Sequence, residues 1–180
     1  MNAYKEFYVD YNRNSHKDGE QYTADMLLSA ADDAGGLYVD FYAIPDEIAY
    51  LPPNHFVRSE IPAKSPGFFG KLLNYKTISA YVCVQVENSQ QLRDIWKQYV
   101  YSSPKIYRIG KLIQPAQNAA LESTLIEKFE WAPLQELSSL LETNICLFRD
   151  FHDEIGLEVL CLESFEERVK HLISLYLGVE

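Results

Sequence analysis

Residues 145–163, "ICLFRDFHDEIGLEVLCLE", decide the fold class. Two runs rich in branched and aromatic side chains, 145–151 and 157–163, flank a polar stretch ending in glycine. That pattern is a β-hairpin, and a hairpin commits the sheet to antiparallel pairing at this point. "DEIG" (153–156) fits a type I turn, with Gly156 placed to take the left-handed conformation of a G1 bulge. Pairing Asp153 with Leu157 sets Arg149 opposite Cys161 and Asp150 opposite Leu160. Period-two alternation then collects Asp150, His152 and Glu158 on one face with Phe148, Leu160 and Leu162. It sends Arg149 to the other face with Leu147, Phe151, Val159 and Cys161.

The same stretch is the best chemical candidate in the chain, because Arg149, Asp150, His152, Asp153 and Glu154 fall together. An Asp/His/Glu group can ligate a divalent metal, although this one is a histidine short of a two-His-one-carboxylate site. Asp150 and His152 could also exchange protons with a substrate. Turn chemistry accounts for most of this charge without either role. His152 opposite Glu158 makes an exposed cross-strand pair contributing about 0.2–1 kcal/mol. The expectation is therefore a partner-binding tip, with Asp150, His152, Asp153, Glu154 and Glu158 as contact residues and no catalytic or metal-ligating set. Asp150 lies two residues inside the strand, so its carboxylate needs a partner or solvent.

Outward from the hairpin, strands and helices are interspersed. "KEFYVDY" (5–11), "LYVDFYAI" (37–44), "ISAYVCVQVE" (78–87) and "KIYRIGKLI" (105–113) have strand composition. Residues 23–36 have a helical apolar face, with Thr23 to cap it and Gly35 to end it. Residues 88–101 carry the i, i+3, i+4, i+7, i+8 stripe of an amphipathic helix, with Asn88 or Ser89 to cap it. Pro115 and Pro133 each open a helix-like run. After the hairpin comes "SFEERVKHLISLYLG", with Ser164 and Glu167 spaced as a capping box and Gly178 as its stop. The run 78–113 is compatible with a βαβ unit or with an antiparallel return. Together these elements predict a single α+β domain over residues 1–180: one mixed or mainly antiparallel sheet packed against several amphipathic helices.

Residues 45–76 break the pattern. Pro45, Pro52, Pro53, Pro62, Pro66, Gly67 and Gly70 exclude long helices and central strands there. The expectation is a long irregular segment. "SPGFFGKLLNYK" within it holds Phe68 and Phe69 between glycines, where they could anchor a partner or tuck back onto the core.

Composition narrows the function. The chain has 180 residues, 47% hydrophobic, with thirteen tyrosines, enough for one domain with a proper core. There is no secretory h-region and no run of about 18 apolar residues that would span a membrane. Three cysteines in apolar runs, without CxxC spacing, are expected to be free core thiols, which makes the cytoplasm the default location. The net charge of −10 argues against nucleic acid as a ligand. It is unevenly spread: residues 1–44 carry −5 and 113–180 carry −9, while 45–76 carry +1 and 77–112 carry +3. Glycine-rich phosphate loops, the GxSxG elbow, HExxH and EF-hand patterns do not occur in the sequence.

The reading these features favour is a non-enzymatic, inhibitor-like binding protein with no cofactor and a basic protein partner. Its concrete form is a bacterial immunity-type protein that neutralises a basic toxin domain by covering its positive cleft with carboxylates. The alternatives are a small hydrolase-like enzyme with an Asp/His/Glu site assembled in space, from groups such as Asp40, Asp150 or Glu158 near His152 or His55, and a homo-oligomeric structural or regulatory subunit using segment 45–76.

Overall fold

The structure, a computed structural model, describes residues 3–32, 34–43, 47, 50–62, 78–99, 105–111, 133–135, 144–151 and 156–179. Alternating apolar runs form seven strands: β1 (Tyr4–Asp10), β2 (Leu37–Ala43), β3 (His55–Pro62), β4 (Ile78–Val86), β5 (Ile106–Gly110), β6 (Asn144–Phe151) and β7 (Gly156–Leu162). They make one sheet in the order β1-β7-β6-β5-β2-β4-β3, and every neighbouring pair is antiparallel. Among the described residues three α-helices with full bounds accompany it: α1 (Gly19–Ala31), α2 (Ser89–Gln98) and α3 (Glu166–Leu177). The fold is α+β, as the sequence predicts.

The open question about residues 78–113 has a definite answer. β4 and β5 both pair antiparallel with β2, which lies between them, so they run parallel to each other. α2 therefore bridges two parallel strands split by a third, and β1–α1–β2 repeats this over a wider span, because β1 and β2 also run parallel across the sheet. Helix-bridged parallel strands within an antiparallel ladder need helices long enough to cross the sheet. α1 packs against both α2 and α3. Its buried Ala24, Met26, Leu27, Ala30 and Ala31 meet Leu92, Ile95 and Trp96 of α2 and Val169, Ile173 and Leu177 of α3 in one core with the sheet.

Both sheet faces are buried along the central strands. Val39, Phe41, Val82, Val84, Tyr107, Ile109, Cys146, Phe148, Val159 and Cys161 belong to the helix-covered core. Tyr38, Asp40, Cys83, Ile106, Arg108, Leu147 and Leu160 alternate with them and are equally buried. A strand buried on both faces carries no alternating polar signal, which is why 106–110 reads as an almost unbroken apolar run.

Helix ends show where local rules hold. Of the two caps expected for α2, Asn88 serves: its Oδ1 accepts the Gln91 N–H at 2.9 Å. Gly178, at φ 67°, closes α3 with its N–H on the Ser174 carbonyl. α1 starts at Gly19, four residues earlier than Thr23 suggests, and the Thr23 hydroxyl donates back to the Gly19 carbonyl at 2.8 Å. The expected capping box of Ser164 and Glu167 does not form. Residues Glu163–Phe165 make a 3-10 turn instead, and α3 begins without a side-chain cap. The helix-like runs after Pro115 and Pro133 lie outside the described residues apart from Pro133, Leu134 and Gln135. β3 is a correction to the irregular reading of 45–76: residues 55–62 pair with β4, across a register irregularity between Val57 and Ser59. Pro62 is tolerated because β3 is at the sheet edge, where an N–H can go unused.

The hairpin is present, but its register differs from that expected. Asp150 pairs with Leu157, Arg149 with Glu158, and Cys146 with Cys161. This is three residues from the predicted alignment, and an odd shift exchanges faces between the strands. Gly156 is not in a left-handed conformation; among the described glycines those with positive φ are Gly35, Gly36, Gly110 and Gly178. Gly156 is required because β1 lies over it: a Cβ there would come within 2.2 Å of Tyr8 Oη and 2.6 Å of the Val9 carbonyl oxygen. Gly156→Ala is therefore expected to push β1 from β7 and cost about 1–3 kcal/mol, as overpacking does. A urea midpoint equal to wild type would show that no such contact constrains this position.

Candidate functional site

The register shift separates the residues that sequence reasoning had grouped. Asp150 faces the helices with Phe148, while Glu158 faces the other way with Arg149. His152, Asp153, Glu154, Phe68 and Phe69 lie outside the described residues. Two of the proposed contact residues, Asp150 and Glu158, are thus described, and the sheet holds them on opposite faces.

Asp150 is only 5% exposed and sits at the end of a polar chain built from four elements. Arg13, from the 3-10 turn Arg13–Ser15, donates to Asp150 Oδ1 at 2.8 Å. The Tyr107 hydroxyl of β5 donates to Oδ2 at 2.6 Å. Trp96 Nε1 of α2 donates to the Tyr107 oxygen at 2.8 Å. Indole nitrogen can only donate, so the direction is fixed: Trp96 N–H to Tyr107, Tyr107 O–H to Asp150, and Arg13 to Asp150 from the other side. Burial, reinforced by the Asp150 charge, holds the Tyr107 phenol well above its ordinary pKa, so it stays a donor. The Arg13 guanidinium also lies 4.4 Å from the Trp96 ring centroid, a cation–π contact contributing about 2 kcal/mol when desolvated. Gly19 makes this possible, since a Cβ there would fall 2.0 Å from the Arg13 carbonyl oxygen.

A second buried pair crosses the opposite face. Arg108 of β5 donates through Nε to Asp40 of β2, and through Nη2 to Cys83 Sγ at 3.3 Å. Arg108 is fully buried and Asp40 is 2% exposed. Nearer the surface, Arg149 pairs with Glu158. The two buried pairs tie β6 to the turn before α1 and β5 to β2, with both ions out of water. Each of these three carboxylates accepts a hydrogen bond from an arginine.

The exposed chemistry lies at the β1 edge. Tyr8 is 47% exposed and pairs with Glu158, while Asp10 pairs with Gly156. Glu6, Tyr8 and Asp10 alternate onto the face that carries Glu158, and all three are exposed. Desolvation and the charges of Asp10 and Glu158 raise the Tyr8 pKa. A groove of about 260 Å³ opens over Arg13, lined by His16, Lys17 and Arg93 but also by Asp18 and Glu20, so its charges largely offset one another. Among the described residues no group of three His, Cys, Asp or Glu side chains is arranged to hold a metal ion, and no helix is long and apolar enough to cross a membrane.

Two buried phenols make stability fall at high pH. Burial, aided by the Glu47 charge, raises Tyr99 from 10.0 to about 12, and Tyr107 is raised as well. Below pH 10 the phenols are protonated in both folded and unfolded chains. Between pH 10 and about 12 the unfolded chain releases protons that the folded one keeps, so unfolding becomes easier as pH rises. Urea midpoints measured at about pH 9 and about pH 11 should show the second lower; equal midpoints would contradict the burial of these hydroxyls.

Fold and site together define an α+β protein on one antiparallel sheet, with arginine–carboxylate pairs buried on both faces and an acidic, tyrosine-bearing edge. Comparison with known protein families, with curated proteins and with solved structures finds no match.

Proposed function

We propose that the chain is a non-enzymatic, inhibitor-like protein of the immunity type, which neutralises a basic toxin domain. The contact surface is the exposed β1 edge, Glu6, Tyr8 and Asp10, with Glu158 beside it, joined by the sequence candidates His152, Asp153 and Glu154. The observation that carries this reading is the division of the carboxylates. Asp40 and Asp150, buried in the sheet, are bound by arginine, and the half-buried Glu158 is paired with Arg149, whereas Glu6 and Asp10 on either side of Tyr8 are exposed. A tyrosine ringed by acids offers an apolar body and a hydrogen-bonding tip inside a negative field, which suits an interface with a cationic cleft. Asp150 acts indirectly, by holding β6 in place through Arg13.

The test uses the immobilised chain as bait in native lysate. It should retain a basic protein at about 0.1 M salt and release it as salt rises and screening shortens the Debye length. A bait carrying Glu6→Lys, Tyr8→Ala and Asp10→Lys should retain little of it, and a bait carrying Leu175→Ala, altered at a residue 64% exposed on α3, should retain it in full. Equal retention by the triple variant would exclude this edge as the interface.

A further inference from the structure

We propose that Cys146 and Cys161 form a reversible oxidation site, closing into an intramolecular disulfide across β6 and β7. The two residues are direct partners in the antiparallel ladder, on the helix-covered face, and both are free thiols. Directly opposed residues of antiparallel strands have Cα atoms about 4.5–5.5 Å apart, within the ~4.4–6.8 Å that a disulfide spans. Closure therefore needs side-chain rotation, with no exchange of strand partners. Cys83 is excluded from the reaction by position: it lies in β4 opposite Asp40 and Phe56, and takes a hydrogen bond from Arg108.

The pair is polarised. The neighbouring Cys146 thiol, helped by the Lys170 charge, draws Cys161 below the ordinary thiol pKa against burial and the charge of Glu166, while Cys146 Sγ donates to the Leu147 carbonyl at 3.8 Å. Burial holds Cys146 well above that value. Both thiols are fully buried, and Cys161 is the more readily deprotonated of the two, so an oxidant that enters the core meets Cys161 first and Cys146 resolves the product. With a hydroperoxide as oxidant, the Cys161 thiolate attacks the terminal peroxide oxygen. The S–O bond forms, the O–O bond breaks, and the leaving oxygen takes a proton to depart as water or an alcohol. Cys146 sulfur then attacks the sulfenic sulfur, forming S–S; the sulfenic oxygen leaves as water, carrying the Cys146 proton. Two thiols are oxidised, one peroxide is reduced, and a dithiol reverses the change.

Reduced protein would be treated with hydrogen peroxide, unfolded, alkylated with N-ethylmaleimide and analysed by mass spectrometry. The expected product has lost two hydrogens, carries one alkylation at Cys83, and yields a linked peptide containing Cys146 and Cys161 that dithiothreitol separates. Its melting temperature should rise by several degrees, since the bond constrains the unfolded chain. Cys83→Ala should form the same link. Cys146→Ser should stop at a sulfenic acid on Cys161 that dimedone traps; if that variant does not fold, the wild-type peptide map decides alone. Three alkylated cysteines after oxidation, sulfinic acid at Cys161 without the link, or disulfide-bonded dimers would each overturn the proposal.

Discussion

Asp150→Asn is expected to lower the unfolding free energy by about 3–5 kcal/mol, the largest single effect anticipated here together with that at Arg108. The side chain keeps its shape, so packing around Phe148 and Tyr107 is little altered. The charge facing Arg13 is what disappears, and Arg13 is only 3% exposed. A guanidinium that has left water and lost its carboxylate costs more than the pair contributed when intact, because the desolvation is no longer offset. Tyr107, whose hydroxyl donates to Asp150, faces an amide that accepts less strongly. Adding Arg13→Met to Asp150→Asn should recover much of the loss, giving a coupling energy above about 1 kcal/mol in a double-mutant cycle. Additive losses would mean that the two residues act independently, against the 2.8 Å contact.

Arg108→Met is expected to cost a similar amount, about 3–5 kcal/mol, on the other face of the sheet. Methionine fills part of the arginine volume, so the effect comes from Asp40, a carboxylate 2% exposed that faces an uncharged side chain after the change. Asp40→Leu with Arg108→Met should be closer to wild type than either single variant, as replacement of a buried pair by apolar groups often is. Urea denaturation of the four proteins checks this. A double variant as unstable as the sum of the singles would show that the pair's ionic character is not what its burial implies.

These two pairs also mark how far the sequence can be read. Asp40 and Arg108 are legible: each is a charge in the middle of an apolar strand, and opposite signs at such positions call for pairing. Arg13 carries no such signal, since it lies in a polar run and meets Asp150 only because the chain returns 137 residues later. The helices were readable where the cap is local, as at Asn88. At Ser164 a 3-10 turn took the place of the capping box. The hairpin was readable as a hairpin, but its register was not: Asp150 pairs with Leu157, and β1 packs close against Gly156, a neighbour from another strand that turn chemistry does not anticipate. The observed register puts Asp150 in the core, and the exposed acids are on β1, where Glu6, Tyr8 and Asp10 had been read simply as a strand. β3 was hidden by proline density, because an edge strand tolerates what a central strand cannot.

The account rests on the separation between carboxylates that hold the sheet and carboxylates that face a partner. The most direct test is the affinity of the captured basic protein for wild type and for Tyr8→Ala with Asp10→Lys, measured by calorimetry at about 0.1 M and about 0.5 M salt. An exposed tyrosine anchor contributes about 2 kcal/mol, roughly 30-fold in Kd, and the reversed charge should take the loss at low salt beyond about 100-fold while flattening the salt dependence. Unchanged affinity and unchanged salt dependence, in a variant whose urea midpoint matches wild type, would contradict it.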